Sequence, residues 1–283
     1  MDTLLVTPAD LHCGSTSGLI PPNWNLKHGG TYHLTTPQLI RWRLWTEAWQ
    51  KVGEQRKRKK LIVVLNGDLI DGDHHGTSEL VTKIEEEQIR MAIECIDTAL
   101  KLAKFGKGDK LFVIEGTESH TNGGEEAIAR DLDAVPALPG NSDNDGRYAH
   151  HELRLDINGR LVWIAHHALK VGGREWTKEN PLMSDLRNIY FERLEAGKQV
   201  PDLVIGAHFH RYTTGQLERN GHTLRGVILP PMQNRTRFAR RVVPNQSTRM
   251  GLCWHEITKD GLITRYDYVT PNHSLEEIGV IKL

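Results

Sequence analysis

The chain has 283 residues with 36 basic and 36 acidic side chains, so its formal net charge is zero. Hydrophobic residues make up 38% and charged residues 25%, as in a globular protein that buries a full core. The charge balance excludes a global attraction to nucleic acid, and any such attraction must be local. The sequence has no run of 18 apolar residues, so we expect no membrane contact.

The three cysteines, Cys13, Cys95 and Cys253, are odd in number and far apart in the sequence. This pattern favours reduced thiols over a disulfide framework. The first residues have neither the basic segment nor the apolar run of a signal peptide. We therefore expect a cytoplasmic protein, and the sequence leaves its oligomeric state open.

Short apolar segments rich in Val, Ile and Leu predict buried strands. These segments are Thr3–Thr7, Leu61–Asn66, Leu111–Glu115, Leu161–Ala165 and Leu203–Gly206. Between the first three, Pro37–Lys57 with Thr36 as N-cap and Leu80–Phe105, which stops before Gly106, predict helices. This alternation predicts a parallel sheet with right-handed crossovers.

The second half of the chain favours antiparallel pairs, because tight-turn dipeptides separate its apolar segments. The predicted hairpins are Tyr148–Asp156 with Arg160–Ala165, Thr214–Glu218 with Thr223–Leu229, and Cys253–Thr258 with Leu262–Tyr268. One further helix is predicted near Pro181–Ala196. We expect one mixed α/β domain over residues 1–283, with long loops at 13–36, 136–147 and 232–250.

Aspartate or histidine follows the end of every predicted strand within a few residues. The residues at these ends are Asp10 and His12, Asp68, His120, His166 and His167, and His208 and His210. In open α/β sheets the carboxyl ends of the strands form the ligand-binding crevice. Histidine and aspartate without cysteine suit Mn, Fe, Zn, Ni or Co. Six or more donors exceed the needs of one catalytic ion and predict a pair about 3.5–4 Å apart.

Each of these motifs has a structural alternative. A lone aspartate after a strand is commonly a turn or cap residue. His166 and His167 point to opposite sides of an extended chain, so only one of them is expected to bind metal. The combination of all five strand ends, in order, has no explanation in core packing and favours the metal site.

Together, these motifs resemble those of the calcineurin-like metallophosphoesterases. The resemblance covers residues 3–212 and rests on Asp10-x-His12, Gly67-Asp68-x-x-Asp71, the Gly116 loop with His120, His166, and His208-x-His210. It implies a four-layer α/β sandwich, in which two mixed β-sheets are flanked by helices. It also implies two divalent metal ions, for which manganese is the favoured metal. It also implies the ligand roles: Asp10, His12 and His210 for the first ion, Asp68 as the bridge, and His166 and His208 for the second.

The third motif departs from the family pattern. The family has Gly-Asn-His, whereas this chain has Gly116-Thr117-Glu118-Ser119-His120. Either Thr117 supplies a weak oxygen ligand in place of the asparagine, or His120 binds the second ion. In addition, Ala207 stands where the family has glycine. Asp71 is expected to support a ligand rather than bind metal itself.

The resemblance implies hydrolysis of phosphate esters by a metal-bridged hydroxide. His120 would stabilise charge or protonate the leaving oxygen, and Arg211 would contact phosphate. The segment Met232–Met250 contains five arginines and no acid, and is either a solvated loop or a basic lip for a nucleic acid. The favoured activity is therefore that of a phosphodiesterase or nuclease. A phosphomonoesterase and a non-catalytic metal-binding scaffold are the alternatives.

Overall fold

The computed structural model describes residues 1–73, 77–121, 123–137, 146–242 and 248–270. The strands are β1 (Thr3–Val6), β2 (Trp24–Asn25), β3 (Thr31–Tyr32), β4 (Lys60–Asn66), β5 (Lys110–Ile114), β6 (Ala149–His150), β7 (Leu153–Ile157), β8 (Arg160–Ile164), β9 (Leu203–Gly206), β10 (Thr213–Arg219), β11 (His222–Ile228), β12 (Gly251–Ile257) and β13 (Ile263–Val269). The α-helices are α1 (Thr36–Arg56), α2 (Glu85–Leu102), α3 (Glu118–Thr121), α4 (Gly124–Asp131), α5 (Glu179–Glu195) and α6 (Arg237–Val242).

Most of these strands form two mixed sheets. The first has the order β13-β12-β1-β4-β5-β6, and the second has the order β10-β11-β9-β8-β7. Strands β1, β4, β5 and β6 are parallel, as the strand–helix alternation predicts. The three predicted hairpins are present as β7–β8, β10–β11 and β12–β13. The first hairpin is shorter than predicted, because Ala149 and His150 pair instead with β5 in the other sheet.

Three hydrophobic clusters order the molecule into layers. Trp45 and Met91, from α1 and α2, pack with Val63 on the outer face of the first sheet. Alternate residues of β4 face the other way, and the core between the sheets contains β4 and β9 side chains together. Leu182 and Leu186 of α5 pack on the outer face of the second sheet. The predicted helix–sheet–sheet–helix arrangement is therefore confirmed.

The helix boundaries show where local contacts override sequence periodicity. Helix α1 is capped by Thr35 with Gln38 at N3, one residue before the predicted cap. Helix α2 begins five residues later than predicted, because Leu80 forms a β-bridge with Ser15 and cannot join the helix. It ends at Leu102, before Lys104, whose positive φ of 58° breaks the helical path.

The long loops contain short elements of their own. Residues 13–36 include the β2–β3 pair, and residues 232–250 include α6. Residues 138–145 of the loop at 136–147, and residues 243–247 of the loop at 232–250, lie outside the described residues. All three cysteines are free and buried. Among the described helices, none has the length and hydrophobicity that a membrane crossing requires.

Candidate metal centre

The six predicted metal ligands converge where strands from both sheets end. Asp10 and His12 follow β1 and Asp68 follows β4, while His166 follows β8 and the last two histidines follow β9. Their donor atoms fall into overlapping groups within 4.8 Å, and two of these groups share Asp10. The groups are Asp10 with His12 and His210, Asp10 with Asp68 and His166, His166 with His167 and His208, and His12 with Asp71 and His120. The structure therefore brings together all six residues that the sequence identifies.

The backbone at this edge has an unusual conformation. Five of the six predicted ligands have positive φ angles between 45° and 72°: Asp10, His12, Asp68, His208 and His210. Such conformations cost about 1–3 kcal/mol each and concentrate at functional sites. The loops also approach closely, because a Cβ atom on Gly67 would lie 2.6 Å from Gly116 Cα. Glycine at this position lets the Asp68 loop pack against the third motif.

The first group is oriented by Asp71. The Nδ1 atom of His12 lies 2.9 Å from Asp71 Oδ1, which leaves Nε2 of His12 facing the cluster. That Nε2 atom lies 3.0 Å from Nε2 of His210, which is itself 3.5 Å from Asp10 Oδ1. A carboxylate that holds the far nitrogen of a histidine is the usual support for a metal-binding imidazole. This contact matches the supporting role expected for Asp71.

The second group is arranged in the same way around Asp68. Nδ1 of His166 lies 2.6 Å from the carbonyl oxygen of Asn66, and this directs Nε2 of His166 toward the carboxylates. That atom lies 3.1 Å from Asp68 Oδ2 and 3.9 Å from Asp10 Oδ1. His208 lies beside His166, with ring centroids 5.5 Å apart. His167 is exposed, whereas His166 is buried, in keeping with the choice of His166 as the ligand.

The donor set fits divalent ions. Asp10 is completely buried, and its Oδ2 atom has no hydrogen-bond partner among the described residues. A buried carboxylate of this kind requires a positive partner, and a metal ion is one that imidazoles and carboxylates share. Each of the overlapping groups contains three aspartate or histidine side chains whose donor atoms lie within 4.8 Å of one another. Nitrogen and oxygen donors without thiolate are suited to Mn, Fe, Zn, Ni or Co.

The titration behaviour of the cluster reflects its dense charge. Burial raises the pKa of Asp68, but the hydrogen bond and charge of His166, with a contribution from His12, lower it well below the usual range. Burial lowers the pKa of His166, yet its contacts with Asp68 and Asp10 raise it to about 9. Burial and the neighbouring His167 and His166 lower the pKa of His208 to about 4. His208 is therefore a neutral imidazole near pH 7, the form that binds metal.

The altered third motif lies between the two groups. The Thr117 backbone N–H donates to Asp68 Oδ1 at 2.6 Å, and its hydroxyl lies 3.0 Å from Nδ1 of His208. His120 lies on the other side, with its ring centroid 4.8 Å from that of His12 and its Nδ1 atom 2.9 Å from the Asp71 carbonyl oxygen. Thr117, rather than His120, therefore occupies the space beside His208.

The side chain of Arg211 does not lie where its position directly after His210 led us to expect it. It is only 4% exposed, and its guanidinium donates to the Gly172 carbonyl oxygen and to Glu175 Oε2, the latter at 2.8 Å. It is not among the side chains that line the cavity over the metal centre. The phosphate contact of Arg211 stays a prediction, while the observed contacts anchor the loop around residues 172–175.

A cavity of about 780 Å³ opens over the centre. Four predicted ligands and His120 form its floor, and the segment after β11 forms one wall. The wall residues are Gln233, Arg235, Thr236, Arg237, Ala239, Arg241 and Thr248. Sequence reasoning identified these arginines but missed Gln233, whose Nε2 atom donates to Asp71 Oδ1 at 3.2 Å. No local sequence pattern distinguishes Gln233 as a residue of the site.

Two facing mixed sheets with helices on both outer faces form a four-layer α/β sandwich, and a histidine–aspartate cluster lies at its strand ends. The fold implied by the motif resemblance is therefore present. No family model and no curated protein matches the sequence.

Solved structures similar to this chain include three proteins of low sequence identity. Vps29 of Chaetomium thermophilum is 11% identical, over 97% of this chain and 99% of that chain, with a TM-score of 0.37. A metallophosphoesterase from Sphaerobacter thermophilus is 8% identical, over 94% and 87%, with a TM-score of 0.34. A phosphatase from Mycoplasma pneumoniae is 8% identical, over 94% and 93%, with a TM-score of 0.41.

Proposed function

We propose that this protein is a two-metal phosphodiesterase, acting on nucleic acid or a related phosphodiester, with manganese as the favoured metal. The observation that carries the proposal is the convergence of six buried or half-buried donors in overlapping groups that are linked through Asp10 and His166. In this assignment Asp10, His12 and His210 hold one ion and Asp68 bridges. His166 and His208 hold the other ion.

Two divalent ions held in this way activate water at neutral pH and neutralise charge that develops on the phosphoryl group. His120 lines the cavity over the proposed ligands. Nδ1 of His120 lies 2.9 Å from the Asp71 carbonyl oxygen, which holds the ring in place, and we assign this imidazole to protonate the leaving oxygen. Asp71 and Gln233 keep the His12 ring oriented through their shared contact.

The residues of the cavity wall favour a phosphodiester substrate over a small phosphate monoester. Arg235, Arg237 and Arg241 line the cavity along one side. Guanidinium groups spaced along a wall suit an extended anion with several phosphates, because each makes a charge-assisted contact with a different phosphate. A monoester site requires instead that cations enclose one dianion. A scaffold without catalysis is disfavoured because the complete donor set converges.

The decisive experiment compares hydrolysis of bis-p-nitrophenyl phosphate with that of p-nitrophenyl phosphate in the presence of Mn²⁺. We expect the diester to be cleaved with the higher kcat/KM, and metal analysis after reconstitution to give two ions per chain. A preference for the monoester would replace the diesterase assignment with a phosphomonoesterase. One ion or none per chain, without hydrolysis of either ester, would remove the proposed function.

A further inference from the structure

A second cavity, of about 300 Å³, lies between the two sheets at their lateral edge. It is lined by residues of β10 and β11 from one sheet and of β12 and β13 from the other. None of its lining residues belongs to the cavity over the metal centre. It is therefore a separate site, and the proposed phosphoesterase activity makes no use of it.

Strand register explains why the lining is polar. In the second sheet Arg225 lies directly opposite Gln216, and in the first sheet His255 lies directly opposite Arg265. Each of these residues lies on the face of its strand that carries apolar side chains of the core between the sheets. Val227, two positions after Arg225, is one of these apolar residues. Two cross-strand polar pairs, one from each sheet, thus line the cavity. Their inner members are Arg225 and His255, while Gln216 and Arg265 are exposed.

His255 is the most buried member of the set. It is 1% exposed, and its Nδ1 atom has no hydrogen-bond partner among the described residues. Burial, followed by the charges of Arg265 and Arg225, lowers the pKa of His255 to about 3. The ring is therefore neutral near pH 7 and offers one N–H donor. A ring nitrogen left unpaired at this depth is unfavourable, and a hydrogen bond to a bound ligand would remove that cost.

The charges around the cavity leave one cation without a partner. Arg265 is paired with Asp267, at 3.3 Å between Nε and Oδ2, and Gln216 donates to Glu218 at 2.7 Å. The Arg225 side chain makes no ion pair or hydrogen bond with any other described residue. A half-buried guanidinium in this position favours an anion, because five N–H donors then gain charge-assisted partners.

We propose that this cavity binds a tetrahedral oxyanion, either inorganic phosphate or the phosphate group of a small ester. Arg225 supplies the unpaired charge. Arg265, which Asp267 partly neutralises, supplies further N–H donors together with His255 and the Thr214 hydroxyl. A volume of about 300 Å³ is at the lower end of the range for small-molecule sites and fits a ligand of this size.

The test is calorimetric titration of inorganic phosphate into Asp68→Asn, a variant that impairs the metal centre. Phosphate binding should persist there and weaken at least tenfold when Arg225→Gln is added. Arg219→Gln, at the exposed end of β10, is the matched control and should leave the affinity unchanged. Titration with ribose 5-phosphate separates the two ligands, since tighter binding of this ester would identify an organic phosphate as the occupant.

Two results would overturn the proposal: phosphate fails to bind Asp68→Asn, or it binds equally well after Arg225→Gln. If circular dichroism shows that Arg225→Gln is unfolded, Arg265→Gln takes its place with the same expected loss. Binding is measured without turnover, so its failure is distinguishable from failure of the proposed phosphodiesterase activity.

Discussion

The hydroxyl oxygen of Thr117 lies 3.0 Å from Nδ1 of His208 and 3.3 Å from Oδ2 of Asp68. This places the hydroxyl between the proposed bridging carboxylate and a proposed ligand of the second ion. This position supports the proposal that Thr117 replaces the asparagine of the resembling motif, with a shorter side chain. Its position gives the altered motif a local role that substitution can measure.

Thr117→Ala should weaken binding of the second Mn²⁺ ion by about 10–100-fold, the usual cost of losing a group that supports metal ligands. Thr117→Asn should retain the second ion, because an amide oxygen replaces the hydroxyl. Both effects are measured by titration with Mn²⁺. Thr46→Ala, which removes a hydroxyl bonded only within α1, is the control. Unchanged affinity in Thr117→Ala would remove this residue from the centre.

His120→Ala should retain both ions and lose about 10²–10⁴-fold in kcat, the range for one acid–base group. The loss should be smaller for a p-nitrophenyl ester than for an alkyl ester, because a good leaving group needs little protonation. Loss of one ion in the variant would show instead that His120 is a ligand. Full activity on every ester would exclude His120 from catalysis.

Asp68→Asn and His208→Ala should each reduce turnover to background while the far-UV circular dichroism spectrum stays unchanged. Both side chains point into the cavity over the metal centre rather than into the hydrophobic core. Their loss removes donors and no apolar packing. His151→Ala, at an exposed histidine paired with Glu115, is the control. Near-normal turnover in either ligand variant would contradict the assignment of the centre.

Much of the centre could be predicted because its geometry follows from local sequence. Strand β9 was predicted with its observed bounds, and the other four strands to within a residue at each end. Short apolar strands that stop at Asp or His carry those side chains to one edge of the sheets, whatever the loops do. The structure brings Asp10, Asp68 and His166 together in this way, while the assignment of each residue to one ion stays a prediction.

The rest depends on contacts between distant parts of the chain. Gln233 reaches Asp71 across 162 positions because Pro231 forms a bridge with Ala9 beside β1, and no local pattern indicates that contact. Arg211 follows His210 directly, but adjacency in sequence does not fix the direction of a side chain. Its guanidinium turns toward Glu175, and no sequence pattern pairs these two residues.

Arg237→Gln and Arg241→Gln should each lower kcat/KM on single-stranded DNA while leaving bis-p-nitrophenyl phosphate hydrolysis nearly unchanged. The small ester does not reach along the wall, whereas a polynucleotide contacts it. Each substitution should also reduce the slope of log affinity against log salt by about 1, the value for one lost phosphate contact. Arg187→Gln, exposed on α5, is the control. Equal losses on both substrates would argue for a structural role.

Metal uptake should depend on pH through His166. Burial lowers the pKa of His166 in the metal-free protein. The hydrogen bond with Asp68 and the charges of Asp10 and Asp68 outweigh that effect and raise the pKa to about 9. An ion binds only the neutral ring, so uptake below pH 9 must displace this proton. The apparent Mn²⁺ affinity should therefore rise about tenfold per pH unit and level off above about pH 9.

The raised pKa of His166 also makes the stability of the metal-free protein depend on pH. Because the folded-state pKa of His166 lies above its ordinary value of 6.5, its stabilising contribution is complete below pH 6.5 and is lost as pH rises through about 9. Thermal unfolding should show this decline without metal and not with excess Mn²⁺. His208, with a pKa of about 4, adds no proton in this range. A Mn²⁺ affinity that stays constant between pH 6.5 and 8.5 would show that His166 is not a ligand, or is already neutral before the ion binds.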